Sequence, residues 1–337
     1  MCSPFYLASG RALATALLAL VLAVPVCRAQ QGSWKEVEYK GQPYVTLQSL
    51  KQFYRFDTYR ADKGHLFFTS PDLVVKMRHG TKDLYINNTK FVLSKYVAAL
   101  GGDYLISKMD LTKLIDPVLR PRFIRQSAPF HTVILDAGHG GRDPGSTGPY
   151  GNEKTHALRL TNLVKEELER RNFRVKMTRT DDLDDAPRRE LTLAQRVAYA
   201  NKINGAIFVS LHFNNGPRSA RGIETYALPP QGAESFLDGP QPGDDLRLRG
   251  NDQDGDNIAL ATAVHASIMH EVDAIDRGIR RARWGVLVGI NKPAILLEGG
   301  YLTNRKEAAK IANLTYQKQL AMAIANGIVN YRNALRR

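Results

Sequence analysis

The chain has 337 residues, room for two domains of ordinary size, with 43% hydrophobic and 24% charged residues. That balance belongs to a soluble globular protein. The formal net charge of +14 admits a nucleic-acid partner on charge alone, but no arginine-rich helix or basic–aromatic ribbon supports one, so none is expected.

At the start, Arg11 precedes an apolar run, Ala12 to Val26, followed by Val26-Cys27-Arg28-Ala29. A basic start, an apolar core and a small residue at the cut make residues 1–29 a secretory signal peptide. The run is short for a comfortable membrane span of about 20 residues, and no later segment comes closer; a retained anchor is the rival reading. Cleavage after Ala29 would remove Cys2, Cys27, Arg11 and Arg28, taking the charge from +14 to +12. Any metal site in the remainder must then use His and carboxylate ligands. The expected location is exported, periplasmic or extracellular and associated with the cell wall, where a positive surface suits an anionic envelope. No stable membrane span is expected after cleavage.

Residues 30–116 read as a small α+β domain. Val37 and Tyr39 alternate with charges, Lys40-Gly41 turns the chain, and Tyr44-Val45 returns it as a hairpin. Residues 46–56 are predicted helical, and strands are predicted at 65–69, 73–77, 83–86 and 90–93, with Asn87-Asn88 as a turn. This part loosely resembles the small domain at the N-terminus of copper amine oxidases and in bacterial wall proteins. It carries no metal motif, so no copper site follows; a spacer and a wall-binding role stay open. Residues 117–129, Pro- and Arg-rich, are expected to be a linker.

From 130 to 337 strands and helices alternate. Strands are predicted at 132–135, 174–178, 205–211, 223–228, 285–289 and 294–297, and helices at 154–171, 191–203, 258–272 and 315–333. The expected fold is α/β, a mostly parallel sheet flanked by helices on both faces. Reactive residues in such folds gather at the carboxyl ends of strands.

Three segments end strands with reactive side chains: "ILDAGHGGRDPGSTGPYGNE" holds His139 and Glu153, "IFVSLHFNN" holds His212, and "PAILLEGGYLTN" holds Glu298. Two histidines and a carboxylate are a common ligand set for a catalytic zinc, and a further carboxylate would serve as general base. Ala157, Leu160, Val164 and Leu168 form the core-facing stripe of the helix that Glu153 opens. A carboxylate there is costly to bury unless it is paired or bound to a metal. His156 competes as a ligand but lies at the edge of that stripe and reads as structural. His265 and His270, five apart, do not share a helical face.

With these segments in view, residues 132–333 resemble the zinc-dependent N-acetylmuramoyl-L-alanine amidases of the type-3 catalytic family. The order "DAGHGG.DPG..G", Glu, "SLHFNN", "E.GYLTN" is kept, together with "LTLAQRVAYAN" and "DRGIRRARWGVL". The resemblance implies Zn2+ held by His139, Glu153 and His212, with Glu298 as catalytic glutamate. It implies hydrolysis of the amide between the lactyl group of N-acetylmuramic acid and L-alanine of the peptidoglycan stem, for wall remodelling or cell separation. Peptidoglycan is then the partner, and an activator protein is compatible with the pattern. A non-catalytic wall binder would lack one of the four residues, and other wall zinc hydrolases space their ligands differently. Some relatives plug the active site with a helix; here 229–257 has little helical period and reads as a mobile loop.

Overall fold

The computed structural model describes residues 34–124, 128–182 and 191–336. The signal peptide expected at 1–29, with Cys2 and Cys27, lies outside the described residues.

The first part opens with the antiparallel hairpin β1 (Glu36–Tyr39) and β2 (Gln42–Thr46). Helix α1 (Leu47–Tyr54) follows, its first turn capped by the Thr46 hydroxyl, which accepts from Ser49 N at 3.4 Å. A meander of β3 (Thr58–Asp62), β4 (His65–Ser70), β5 (Leu73–Arg78), β6 (Asp83–Ile86) and β7 (Thr89–Val92) comes next. Strands β8 (Ala98–Leu100) and β9 (Asp103–Ser107) then return to pair beside β2. A helical turn, Asp116–Leu119, runs into the start of the stretch expected as a linker, 117–129, and buries Pro117, Val118 and Leu119.

The second part contributes β10 (Thr132–Ala137), a two-residue ladder β11 (Thr147–Gly148) with β12 (Gly151–Asn152), β13 (Arg174–Met177), β14 (Ala206–Asn214), β15 (Ile223–Ala227), β16 (Asp276–Arg281) and β17 (Ala294–Tyr301). Its helices are α2 (Glu153–Arg170), α3 (Leu193–Asn201), α4 (Asp254–Glu271), α5 (Gly285–Val288), α6 (Arg305–Ala312) and α7 (Leu314–Arg336). The sheet runs β13-β10-β14-β17-β15-β16 and continues through β7-β6-β5-β4-β3, eleven strands in all.

This sheet is mixed, which corrects the mostly parallel expectation. Strands β13, β10, β14 and β17 are mutually parallel, but β15 lies antiparallel to β17. The cause is the connection from β14 to β15, residues 215–222, which contains no helix; a parallel return needs a crossover of a dozen or more residues. Helix α4 supplies such a crossover between β15 and β16, and these two are parallel. A second correction concerns 285–289, which forms the short helix α5 in place of a strand. A brief apolar run has no period to separate the two.

Alternation along the strands divides the core. Val133, Leu135, Ile207, Val209, Leu211, Ile295 and Leu297 pack with the long helices α2, α4 and α7. Ile134, Phe208, Tyr226 and Leu296 point the other way, to Ala200, Val286 and Leu287 of α3 and α5. Helices therefore cover both faces, and the carboxyl ends of β10, β14 and β17 stay open. Where α7 meets α4, a Cβ on Gly327 would lie 2.5 Å from the Val264 Cα, so glycine sets that close approach.

Candidate metal centre

The loop after β10 is held from behind by two arginines. Arg196, on α3, donates to the carbonyls of Ala137 at 2.7 Å and His139 at 2.6 Å. Arg179, after β13, donates to Gly138 O at 2.8 Å and Lys154 O at 2.7 Å. Arg196 also pairs with buried Asp136 at 2.6 Å, which accepts in addition from Thr178 and Ser210. Burial pushes the Asp136 carboxyl up, but these donors outweigh it and hold its pKa below the ordinary value. Thus fixed, the loop turns through His139 at φ 57° and brings its ring to the sheet edge.

Two glycines leave room for the rings. A Cβ on Gly138 would sit 2.4 Å from His212 Cε1, and one on Gly145 would sit 2.5 Å from His139 Cδ2 and 2.6 Å from Glu153 Oε2. Asp143 Oδ2 lies 2.7 Å from His139 Nδ1, which orients the ring and leaves Nε2 facing Glu153. Glu153 opens α2, where a negative charge suits the helix dipole. Its Oε1 is 3.1 Å from His139 Nε2 and 2.8 Å from His212 Nδ1, and its Oε2 accepts from Ser146 N at 2.8 Å. His212 is delivered by β14, which carries an irregularity in register between His212 and Asn214; bulges of this kind re-aim side chains beside active sites.

The three ligand atoms lie within 4.8 Å of one another and can hold a metal ion. The close approach of these groups perturbs each of them. Burial disfavours the Glu153 charge, but the two histidines outweigh burial and hold its pKa far below normal. Burial likewise opposes protonation of His139, and Glu153 and Asp143 overcome it to raise its pKa.

Glu298, on β17, lies beside His212 in the ladder and is 5% exposed. Its Oε2 is buried with no hydrogen-bond partner among the described residues. Burial, then the charges of Glu153 and Glu224, push its pKa well up. All four predicted residues line one cleft of about 730 Å³, walled by Leu193, Leu237, Trp284 and Val286. His156 stands apart: one ring nitrogen is 3.1 Å from Tyr150 O and the other 3.2 Å from Arg159. His265 is likewise occupied, between Thr225 and Asp276.

Several contributors escaped the sequence reading: Asp136, Asp143, Arg179, Arg196 and Glu224. The signal was present for Asp136, an acid ending an apolar strand, and for Arg196, a cation inside "LTLAQRVAYAN". The 229–257 segment is rich in turns and ends in Arg249–Gln253 and the start of α4. It is anchored by Lys95 to Glu234 at 2.9 Å and Arg283 to Asp244 at 2.7 Å, and Leu237 reaches the cleft.

The family model described as Amidase_3, N-acetylmuramoyl-L-alanine amidase, matches residues 133–330. A Bacillus subtilis protein called uncharacterized protein YqiI is 32% identical over 201 residues, 59% of this chain and 84% of that one. N-acetylmuramoyl-L-alanine amidase AmiC of Escherichia coli is 29% identical over 297 residues, 80% of this chain and 68% of that one. Among solved structures, N-acetylmuramoyl-L-alanine amidase AmiC2 of Nostoc punctiforme aligns with 32% identity and a TM-score of 0.49, covering 61% of this chain and 97% of that one.

Proposed function

We propose, from the premise that this chain belongs to the N-acetylmuramoyl-L-alanine amidase family, that its metal is zinc and that Glu298 is the proton acceptor of the reaction. The chain is an amidase of peptidoglycan; it hydrolyses the amide between the lactyl group of N-acetylmuramic acid and L-alanine of the stem. The observation that carries the site assignment is one cleft holding three convergent ligand atoms and an unpartnered buried carboxylate.

The donor set fits zinc: two imidazole nitrogens and one carboxylate oxygen, with room left in the cleft. His139, Glu153 and His212 would hold the zinc, which when bound would supply Lewis acidity toward the scissile carbonyl and lower the pKa of water. Asp143 fixes the His139 ring, and the Ser146 and Phe213 amides fix Glu153. Glu298 takes a proton from the attacking water and returns it to the departing alanine amine. Burial and the neighbouring charges of Glu153 and Glu224 raise its pKa, the direction that strengthens a carboxylate as a base. Leu193, Leu237 and Trp284 give the cleft an apolar wall beside the centre. Export to the cell wall rests on the signal-like residues 11–29; no helix among the described residues is long and apolar enough to cross a membrane.

The test is mass spectrometry of digested peptidoglycan. Free stem peptides with an L-alanine amino terminus and intact glycan strands are expected. Cut glycans, or peptides shortened within the stem, would overturn the reading.

A further inference from the structure

One row of the sheet carries three functional side chains. His212 pairs with Glu298 across β14 and β17, and Glu298 pairs with Glu224 across β17 and β15. Residues directly opposite share a face, so two carboxylates stand side by side in a buried row. Their surroundings differ sharply. Glu224, 1% exposed, accepts four hydrogen bonds and makes a further ion pair. Its Oε2 takes the Tyr226 hydroxyl at 2.5 Å and Asn214 Nδ2 at 3.1 Å; its Oε1 takes the Tyr301 hydroxyl at 2.7 Å, Arg280 at 3.1 Å and Arg277 Nε. Glu298 keeps a buried oxygen with no partner among the described residues.

A buried ion pair between Glu298 and an arginine would bring that carboxylate the partner it lacks, and would take away the free lone pair a proton acceptor needs. Both arginines stand on β16, two strands from Glu298 with β15 between, and are already engaged by Glu224. We infer that Glu224 is a positioning residue that binds Arg277, Arg280 and Tyr301 so that these donors stay off Glu298. The arrangement rests on the reading of Glu298 as the proton acceptor, and it explains why the strand beside the metal centre buries a second acid under so many donors. Glu224 does not itself line the cleft; it touches it through Asn214, which does.

The experiment compares Glu224→Gln with wild type on solubilised peptidoglycan, with zinc content measured in parallel. A neutral amide cannot hold both guanidiniums, so kcat should fall about 10–100-fold with KM changed less than about threefold and zinc retained. Adding Arg277→Gln and Arg280→Gln to Glu224→Gln should restore kcat, because the released donors are then gone. Wild-type kcat in Glu224→Gln, a loss the arginine substitutions do not restore, or loss of zinc together with kcat would each overturn the inference. If Glu224→Gln does not fold, Glu224→Asp keeps the charge but draws back from its donors; wild-type kcat in that variant overturns the inference, and a reduced kcat restored by Arg280→Gln supports it. Glu298→Gln in the same assay separates the two readings: full activity there refutes the proton-acceptor role whatever Glu224 does.

Discussion

Gly138→Ala isolates the space behind one proposed metal ligand, His212. Gly138 does not adopt a positive φ, so alanine introduces no backbone strain, and the change reduces to one methyl group. That methyl would lie 2.4 Å from Cε1, 2.5 Å from Nδ1 and 2.7 Å from Nε2 of His212. Carbon atoms pack at about 3.5–4.0 Å, so the ring must withdraw by about 1 Å. Its backbone cannot follow, because β14 is paired on both sides, by β10 and β17. Nδ1 therefore leaves its place 2.8 Å from Glu153 Oε1. Disturbing the support of a ligand costs about 10–100-fold in metal affinity, or about 1.4–2.8 kcal/mol. Competition with a zinc chelator reads this directly, and circular dichroism checks that the fold persists. A folded Gly138→Ala with wild-type zinc affinity would refute the idea that this glycine makes room for His212.

Glu298→Gln should keep its zinc and lose about 10²–10⁴-fold in kcat, whereas Glu153→Gln should lose zinc; metal analysis and turnover on both variants check the pair, and reversed outcomes exchange the two roles. Gly327→Ala should cost about 1–3 kcal/mol of stability by overpacking α7 against α4, seen as a lower denaturation midpoint with kcat unchanged in the folded enzyme. For Asp136 the folded pKa lies below the ordinary 3.8, so its stabilising effect is present above that value and lost as pH falls through the folded one. The stability difference between wild type and Asp136→Asn should therefore be full at neutral pH and shrink below about pH 4; a gap that widens in acid would contradict this.

How much of this was legible follows from where the polar side chains sit. His139, His212 and Glu298 were visible because each closes an apolar run that has no other use for it, and Glu153 because it sits over a hydrophobic stripe. The strand β16 was not, because "DRGIRR" carries three arginines. Arg280 and Arg281 are satisfied by Glu224 and Asp110, partners distant in sequence that no local pattern announces. The direction of β15 depended on the absence of a helix in eight connecting residues, and the apolar "VLV" of α5 had no period to declare itself. Arg179 and Arg196 read as surface cations until the carbonyls they hold are seen.

The join between β16 and β7 has a consequence for how the molecule comes apart. Ile279 pairs with Phe91 in parallel register, and buried Arg281 meets Asp110, its hydroxyl neighbour Ser94 and the carbonyl of Lys113. The Asp276 carboxylate, bonded to His265, also accepts from Lys90 N at 3.0 Å. A ladder and a shared set of buried charges thus cross from one half of the chain to the other. Heat should then melt residues 34–336 in one calorimetric transition, and a protease nick near residue 125 should leave two fragments that still migrate together under native conditions. Exchanging the first half for that of a relative would demand a matching strand edge at β7, so recombination between the halves is constrained by hydrogen-bond register.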